Sequence, residues 1–231
     1  MRASGRTQAV AQKRAPNKRQ RSASQAAVNG GGVTANMREE VAAYRKDLIL
    51  RAAVDAFFEH GYHDCTVDMI AERLSGTKAI VYYYFADKHS ILQEIYRRAL
   101  ETALDLYRKA AEENKDPVSR LAGIARYYAQ WVIENQRVVG VIWRVERALS
   151  ADARAAVVAE RKRMDDLISV VIRDGVSKGV FDVVDPGTTA RAIEGMITFT
   201  WSWWRSDRRL SREETADYYA RMALRLAGAR A

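Results

Sequence analysis

Residues 48–92 have the sequence LILRAAVDAFFEHGYHDCTVDMIAERLSGTKAIVYYYFADKHSIL, and this stretch decides the fold. Apolar residues recur in it three or four positions apart, which is helical spacing. Gly61 is suited to end a first helix, because glycine adopts the left-handed conformation common at helix C-termini. Thr66 and Thr77 are suited to cap two short helices that follow. The stretch therefore predicts three helices in quick succession.

The second and third of these helices have the form of a helix-turn-helix unit. Such a unit needs an apolar face on its first short helix, and Ile70, Ala71 and Leu74 supply it. It also needs a small turn, which Ser75-Gly76 provides. The expected second short helix then runs from the Thr77 cap to Phe85.

This last helix carries groups suited to DNA. Ala79 is small enough to approach a base edge or a thymine methyl group. The three consecutive tyrosines point about 100° apart around the helix, so they cannot all lie in a core. A phenol hydroxyl can bond a phosphate, and a lysine at the next helix start adds an ammonium group. The candidate residues are Thr77, Lys78, Ala79, Tyr82, Tyr83, Tyr84 and Lys88.

A plainer interpretation of the same pattern stays open at this point. Tyrosine clusters often pack in amphipathic cores, and many pairs of short helices look like a helix-turn-helix. Composition and spacing alone do not choose between DNA binding and simple packing.

From Arg45 to Leu100 the chain resembles the N-terminal domain of TetR-type transcriptional regulators. The likeness runs without a gap. It covers a first helix ending in Phe-x-x-x-Gly-Tyr, a Thr-Val start to the second helix, and an Ile-Ala pair. It continues through a lysine at the start of the recognition helix, a Tyr-Tyr-aromatic-Phe run, and a lysine after a capping residue.

The resemblance implies a homodimer whose third helices enter the major groove of a palindromic operator. By the same likeness, Thr66 would bond phosphate at the start of the second helix. Thr77, Lys78 and Ala79 would face base edges. The three tyrosines would contact phosphates or bases, and Lys88 would clamp a phosphate.

Three positions depart from the family's pattern. Ser75 stands where the family usually has glycine, and Gly76 stands where an apolar residue is common. Tyr84 replaces a common histidine. The first two changes lie in the turn that aims the recognition helix.

Charge is distributed unevenly along the 231 residues. The chain has 38 Lys and Arg against 29 Asp and Glu, a net charge of +9 that points to an anionic partner such as nucleic acid. Residues 1–38 hold eight of the basic residues and no acidic one, so the remainder carries only +1. Residues 39–100 carry −2, although the part from Arg73 to Leu100 carries +3. Bulk charge therefore does not identify the DNA-binding segment.

We predict that residues 1–37 form a disordered basic tail, because they lack aromatic residues and include Gly30-Gly31-Gly32. Three interpretations of the tail stay open: a solvated extension, a basic arm that attracts DNA, and an organellar transit peptide. Residues 38–95 are predicted to form the helix-turn-helix DNA-binding domain. Residues 96–231 are predicted to form a helical bundle for ligand binding and dimerisation.

The whole chain is predicted to be all-α. A long helix should follow the Asp87 cap from Lys88 toward Asn114, ending before Pro117. Further helices are expected at about 118–136, 137–149, 152–178, 187–205 and 211–228.

Aromatic residues concentrate in the C-terminal half, where all five tryptophans lie. They either fill a helical core or line an apolar ligand pocket with a few polar groups. The pocket hypothesis selects Tyr127, Tyr128, Trp131, Trp143, Arg144, Phe199 and Trp203.

Residues 194–219, EGMITFTWSWWRSDRRLSREETADYY, resemble the last helices of TetR-type regulators of fatty-acid, steroid or related acyl-CoA catabolism. This likeness implies an acyl-CoA inducer, although Ser206 stands where that group often has proline. It also implies dimerisation through a four-helix bundle formed by the stretches near 152–178 and 187–205. Apolar stripes on these stretches could serve the dimer or the chain's own core. They consist of Ala156, Val157, Met164, Leu167, Ile168, Val171 and Ile172, and of Ile193, Met196, Ile197 and Thr200.

An enzyme is the main alternative from another class, and the sequence argues against it. His60, His63 and Cys65 invite a metal site, but they straddle a helix end and a loop. The adjacent pairs Glu112-Glu113 and Asp165-Asp166 point to different helix faces and form no carboxylate dyad, and no glycine-rich phosphate loop follows a strand. We therefore expect no catalytic residues, metal or cofactor, no membrane partner, and a cytoplasmic protein, to which the single cysteine is suited. An all-α acyl-ligand-binding protein or enzyme without DNA function remains the alternative.

Overall fold

The computed structural model describes residues 18–145, 149–207 and 209–229, with side chains from Asn36 onward. Within these ranges the chain is helical, with turns and loops and no strand, as predicted. The helices are α1 (Lys18–His60), α2 (Val67–Arg73), α3 (Lys78–Tyr84), α4 (Lys88–Glu113), α5 (Pro117–Glu134), α6 (Gln136–Val145), α7 (Ala151–Ser177), α8 (Pro186–Thr198), α9 (Thr200–Trp203) and α10 (Arg212–Leu226). No helix in the described ranges is long and apolar enough to cross a membrane.

Helix α1 begins much earlier than the sequence suggested. Its first residue is Lys18, whereas the helical DNA-binding domain was predicted to begin at residue 38. Part of the predicted disordered tail, residues 18–37, is therefore helical, and residues 1–17 lie outside the described ranges. Extending an existing helix adds a hydrogen bond per residue without a new nucleus. The stretch contains four alanines and two glutamines, which favour a helix, and Gly30-Gly31-Gly32, which oppose it.

The chain divides into two compact units at Lys46. The first contains the N-terminal part of α1. The second, from Asp47, contains the end of α1 and every later helix, so the predicted helix-turn-helix and the C-terminal helices share one unit. Helix α4 runs through the domain boundary predicted at residue 95.

Helix starts follow the predicted caps closely. The hydroxyl of Thr66 accepts a hydrogen bond from the amide of Met69, and the Asp87 carboxylate accepts one of 2.7 Å from the amide of Ser90. Thr77 occupies the N-cap position of α3, but its side chain makes no capping hydrogen bond.

One predicted helix is broken in two. We expected a single helix over residues 187–205, but α8 ends at Thr198 and the short α9 follows. The break falls in a run of β-branched and aromatic residues, which are poor helix formers. The hydroxyl of Thr200, fully buried there, donates to the hydroxyl of Tyr219 at 2.6 Å.

The C-terminal core is built mainly from α4, α5, α7, α8 and α10. Tyr96 and Tyr107 on α4 are among its largest fully buried side chains. The stripes proposed for dimerisation belong largely to this core: Val157, Met164, Ile168, Val171, Ile172, Ile193, Ile197 and Thr200 are buried within the chain. Because these faces are already covered, a dimer contact must use other faces of α7 and α8.

Helix α6 passes close to two aromatic side chains at Gly140. A Cβ atom at this position would lie 2.7 Å from the Phe58 ring of α1 and 3.0 Å from the Trp201 ring of α9. Only glycine lets the three helices approach this closely.

The turn between α2 and α3 forms a Schellman motif with serine in the glycine position. The amide of Ser75 donates to the carbonyl of Glu72 at 2.9 Å, and the amide of Gly76 donates to that of Ala71 at 3.0 Å. Ser75 has φ +52°, the left-handed conformation that costs a side-chain-bearing residue about 1–2 kcal/mol. Helices α7 and α10 end in the same motif with glycine in that place, Gly179 and Gly228.

We expect Ser75→Gly to stabilise the protein by about 0.5–1 kcal/mol, because relief of backbone strain exceeds the added entropy of the unfolded chain. Thermal unfolding followed by circular dichroism should show a midpoint raised by about 2–3 °C. Ser75→Ala keeps the Cβ atom and should unfold close to the original temperature. If the glycine variant unfolds at no higher temperature than the original protein, the positive φ of Ser75 does not strain the backbone as argued.

Candidate functional site

Helix α3 is anchored by one face and exposed on the other. Val81 and Phe85 are buried in the core together with Ile70 and Ala71 of α2. These contacts and the tight turn fix the orientation of α3 relative to α2.

The exposed face of α3 contains most of the predicted DNA-contacting residues. Thr77, Lys78 and Ala79 are exposed at its N-terminal end. Tyr83 is 82% exposed and Tyr82 is 50% exposed, whereas Tyr84 is partly buried. The rings of Tyr83 and Tyr84 meet edge to face at 4.9 Å, so the inner ring supports the outer one.

Thr66 lies at the start of α2 with an exposed hydroxyl. Its oxygen accepts from the amide of Met69 at 3.2 Å, which leaves the hydroxyl hydrogen able to donate elsewhere. Lys78 lies 3.7 Å from the Asp68 carboxylate, and both side chains are well exposed. An exposed pair at that distance contributes little, so the ammonium group can exchange this partner for another.

Lys88, the predicted phosphate clamp, makes hydrogen bonds within the chain. Its Nζ atom donates to the carbonyl oxygens of Tyr62 at 2.6 Å, His63 at 3.1 Å and Cys65 at 2.7 Å, and it lies 4.6 Å from the centre of the Tyr62 ring. An ammonium group has three hydrogens, and all three are engaged within the chain. Lys88 therefore ties the start of α4 to the loop between α1 and α2.

A cavity of about 270 Å³ lies among the C-terminal helices. Its apolar side is formed by α4, α5 and α6, and its other side by α7 and α8. Three of the seven residues predicted to line a pocket do line this cavity: Tyr128, Trp131 and Trp143.

The other four predicted pocket residues lie elsewhere. Tyr127 hydrogen-bonds the Glu113 carboxylate outside the cavity. The Arg144 guanidinium lies 5.0 Å from the Phe58 ring centre and 5.2 Å from that of Trp201. Phe199 and Trp203 are 54% and 44% exposed. Aromatic character alone did not separate the inward faces of these helices from the outward ones.

The charged residues of the cavity were not predicted from the sequence. Arg161 and Asp165 lie one turn apart on α7, and Arg191, Glu194 and Thr198 lie on one face of α8. Their helical spacing within otherwise apolar stripes was the available signal. The Arg191 Nε donates to the Asp165 carboxylate at 3.2 Å, and the hydroxyls of Tyr128 and Thr198 share a hydrogen bond of 2.8 Å.

Glu194 is the most perturbed acid beside the cavity. Burial raises its pKa well above the ordinary range. A hydrogen bond that the protonated Glu194 donates to the neighbouring Asp165 and the negative charge of Asp165 raise the pKa further, and Arg161 partly opposes the rise. Burial also raises the pKa values of Tyr107 and Tyr128 nearby. Perturbed groups around a cavity are a common feature of ligand sites.

The histidine and cysteine residues near the end of α1 do not form a metal cluster. Cys65 is buried, and its Sγ atom lies 3.6 Å from the carbonyl oxygen of Thr66. Among the described residues no three His, Cys, Asp or Glu side chains are grouped suitably for a metal ion.

Two family profiles match the chain. The profile of the bacterial regulatory proteins of the tetR family matches residues 49–95, and that of the tetracyclin repressor-like C-terminal domain matches residues 114–227. The first contains α2 and α3, and the second contains most of the helices around the cavity.

Known proteins match over most of the chain. The HTH-type transcriptional regulator HbdR of Aromatoleum sp. strain CIB is 30% identical over 160 residues, which is 69% of this chain and 68% of that protein. The HTH-type transcriptional repressor KstR2 of Mycobacterium tuberculosis H37Rv is 24% identical over 78% of this chain and 91% of its own length. The structure of AibR in complex with isovaleryl coenzyme A and operator DNA has a TM-score of 0.72, with 24% identity over 80% of this chain and all of that one.

Proposed function

The chain belongs to the TetR family of bacterial regulatory proteins, and we propose that it is a ligand-responsive transcriptional repressor that binds a palindromic operator as a homodimer. A small apolar or acyl-CoA-type ligand releases the DNA. The protein acts in the cytoplasm, where the operator DNA is.

The observation that carries this proposal is the exposed face of α3. Thr77, Lys78 and Ala79 stand free of the core at the end of the helix that would enter the major groove. Tyr82 and Tyr83 extend the same exposed helix with hydroxyls suited to phosphate or base contacts. Thr66 supplies a phosphate contact from α2. Tyr84 supports Tyr83, and Lys88 holds the loop that precedes Thr66.

Replacing Lys78 tests the DNA contact directly. We expect Lys78→Met to weaken binding to DNA selected by the protein from a random library. It should also reduce by about one the slope of log affinity against log salt, because one cation no longer neutralises a phosphate-rich surface. Electrophoretic mobility shifts over a salt series measure both quantities.

Lys88→Met is the matched control for this experiment. It removes three charge-assisted hydrogen bonds from the loop, so it should lower thermal stability and weaken binding. It should leave the salt slope unchanged in the range where the protein stays folded. If the slope of log affinity against log salt falls for Lys88→Met but not for Lys78→Met, then Lys88 contacts the DNA and Lys78 does not.

An exposed stripe on α8 and α9 supports the homodimer. Ala192, Gly195, Phe199 and Trp203 recur at intervals of three and four residues, and all are exposed. A Cβ atom at Gly195 would meet nothing within 4 Å, so a second helix can approach closely there. Val170 on the adjoining α7 is a further exposed apolar side chain. Large apolar side chains grouped on a surface are typical of an interface.

We expect Phe199→Glu to convert the dimer into a folded monomer, since two carboxylates would be buried across a two-fold interface. Tyr218→Glu, at a similarly exposed aromatic residue on α10, should leave the assembly unchanged. Light scattering coupled to size-exclusion chromatography measures the mass. A Phe199→Glu protein with the mass of the unaltered dimer would remove α8 from the interface.

Helix α6 is suited to couple the cavity to the DNA-binding helices. Val139, Ile142 and Trp143 line the cavity. On α6 as well, Arg137 donates to Asp55 at 2.7 Å and to Glu59 at 3.0 Å on α1. Helix α4 also lines the cavity, and Tyr96 on it donates to the carbonyl of Ile142. A ligand that tilts α4 and α6 would change the separation of the two recognition helices, which must match half-sites about 34 Å apart.

The cavity and the likeness to AibR support an acyl-CoA inducer. We expect short or branched acyl-CoAs, titrated into the protein–operator complex, to release the DNA at concentrations where free coenzyme A does not. Fluorescence anisotropy of labelled operator follows the release. Inertness across short, long and ring-derived acyl chains would reject the acyl-CoA part of the proposal and leave the DNA-binding part standing.

A further inference from the structure

The cavity has one polar wall and one apolar wall. Helices α7 and α8 contribute Arg161, Asp165, Arg191, Glu194 and Thr198 to the polar wall. The facing wall comes from α4, α5 and α6 and is made of aliphatic and aromatic side chains. A ligand in this space meets apolar atoms on one side and charged or hydroxyl groups on the other.

The volume sets the size of the occupant. Water in the liquid occupies about 30 Å³ per molecule, so a cavity of about 270 Å³ holds on the order of ten non-hydrogen atoms. This lies at the lower edge of the range for small-molecule pockets. A four-carbon or six-membered-ring group fits this space, whereas a long fatty chain would extend out of the open side of the cavity.

The polar wall has hydrogen-bonding capacity that its internal bonds do not exhaust. Asp165 is bonded by Arg191, and its carboxylate has further lone pairs. Glu194 lies beside it and is partly buried, a position that favours the neutral carboxyl form. Behind them the hydroxyl of Tyr107 is fully buried and has no hydrogen-bond partner among the described residues.

We propose that the cavity binds a compact apolar group carrying a hydroxyl that bonds the Glu194 and Asp165 carboxyl groups. The inference rests on the proposed function, in which this group is the acyl part of the inducer. Its chemical class is a hydroxylated short-chain or single-ring acyl group.

Charge selects a hydroxyl over the two ionised alternatives. An ammonium group would lie against a wall that already contains Arg161 and Arg191, and a carboxylate would compete with Asp165 for its pairing with Arg191. A hydroxyl carries no charge, and it both donates and accepts. Its apolar neighbour atoms then lie against Leu100, Ala103 and Trp131 on the facing wall.

The test compares matched thioesters on the full chain without DNA. Isothermal titration calorimetry should give 3-hydroxybutyryl-CoA at least a tenfold lower Kd than butyryl-CoA, because the unhydroxylated group leaves buried polar groups unpaired. Succinyl-CoA and palmitoyl-CoA should bind more weakly than 3-hydroxybutyryl-CoA, the first for its charge and the second for its length. Benzyl alcohol against toluene repeats the comparison with free molecules.

Glu194→Met removes the carboxyl group at similar volume. We expect it to bring the ratio of the two butyryl Kd values close to one by strengthening the binding of butyryl-CoA. Glu194→Gln keeps a donor and an acceptor and should keep the preference. Glu101→Met, an exposed position on α4 outside this cavity, should keep the original tenfold ratio.

The outcomes separate this inference from the proposed function. Equal binding of the two butyryl thioesters, tighter binding of succinyl-CoA or palmitoyl-CoA, or an unchanged ratio in Glu194→Met would each overturn it. A preference for benzyl alcohol over toluene with no thioester binding supports the cavity chemistry and rejects the thioester inducer. If none of these compounds binds, the inference is wrong, and the operator-binding experiment still tests the proposed function independently.

Discussion

The position of α6 is limited by steric exclusion at Gly140. Two aromatic rings from other helices occupy the space where a side chain would lie, one from Phe58 and one from Trp201. With glycine there, α6 packs against both α1 and α9. Arg137 of α6 also bonds Asp55 of α1, and Arg144 lies over the rings of Phe58 and Trp201. Because close-packed interfaces resist gradual deformation, a displacement of α6 must be carried into α1 or break these contacts. The proposed link from ligand to DNA depends on this packing.

The exposed face of α3 and the cavity differ in the environment of their polar groups. On α3 the functional side chains project from a helix whose inner face is fixed by Val81 and Phe85, so the surface is preformed and its groups stay hydrated. Around the cavity, Asp165 and Glu194 are partly buried, and Asp165 pairs with the more exposed Arg191. The first arrangement is suited to DNA, a large anionic surface whose contacts with protein are often bridged by water. The second is suited to a small molecule whose polar groups replace the hydrogen bonds of the water that it displaces.

Local signals predicted the helix-turn-helix well. The caps at Thr66 and Asp87 act within three residues, so the sequence near each helix start contains the information that sets it. Lys88 shows the opposite case, because its three carbonyl partners come from residues more than twenty positions earlier and no local pattern announces them. Only some of the cavity residues were predicted, for a similar reason. Tyr128 and Trp131 face the cavity, whereas Phe199 and Trp203 are exposed, because the rotation of each helix about its axis depends on neighbours distant in sequence.

The internal use of Lys88 has a consequence for how such a protein searches a genome. Residues 39–100 carry more acidic than basic groups, and one of the few cations near the recognition helix is engaged with carbonyl oxygens. Attraction to random DNA comes almost entirely from phosphate neutralisation, so this part of the protein adheres weakly to the many competing sites of a chromosome. In the proposed repressor, attraction to DNA of any sequence would then depend mainly on the eight basic residues of residues 1–38.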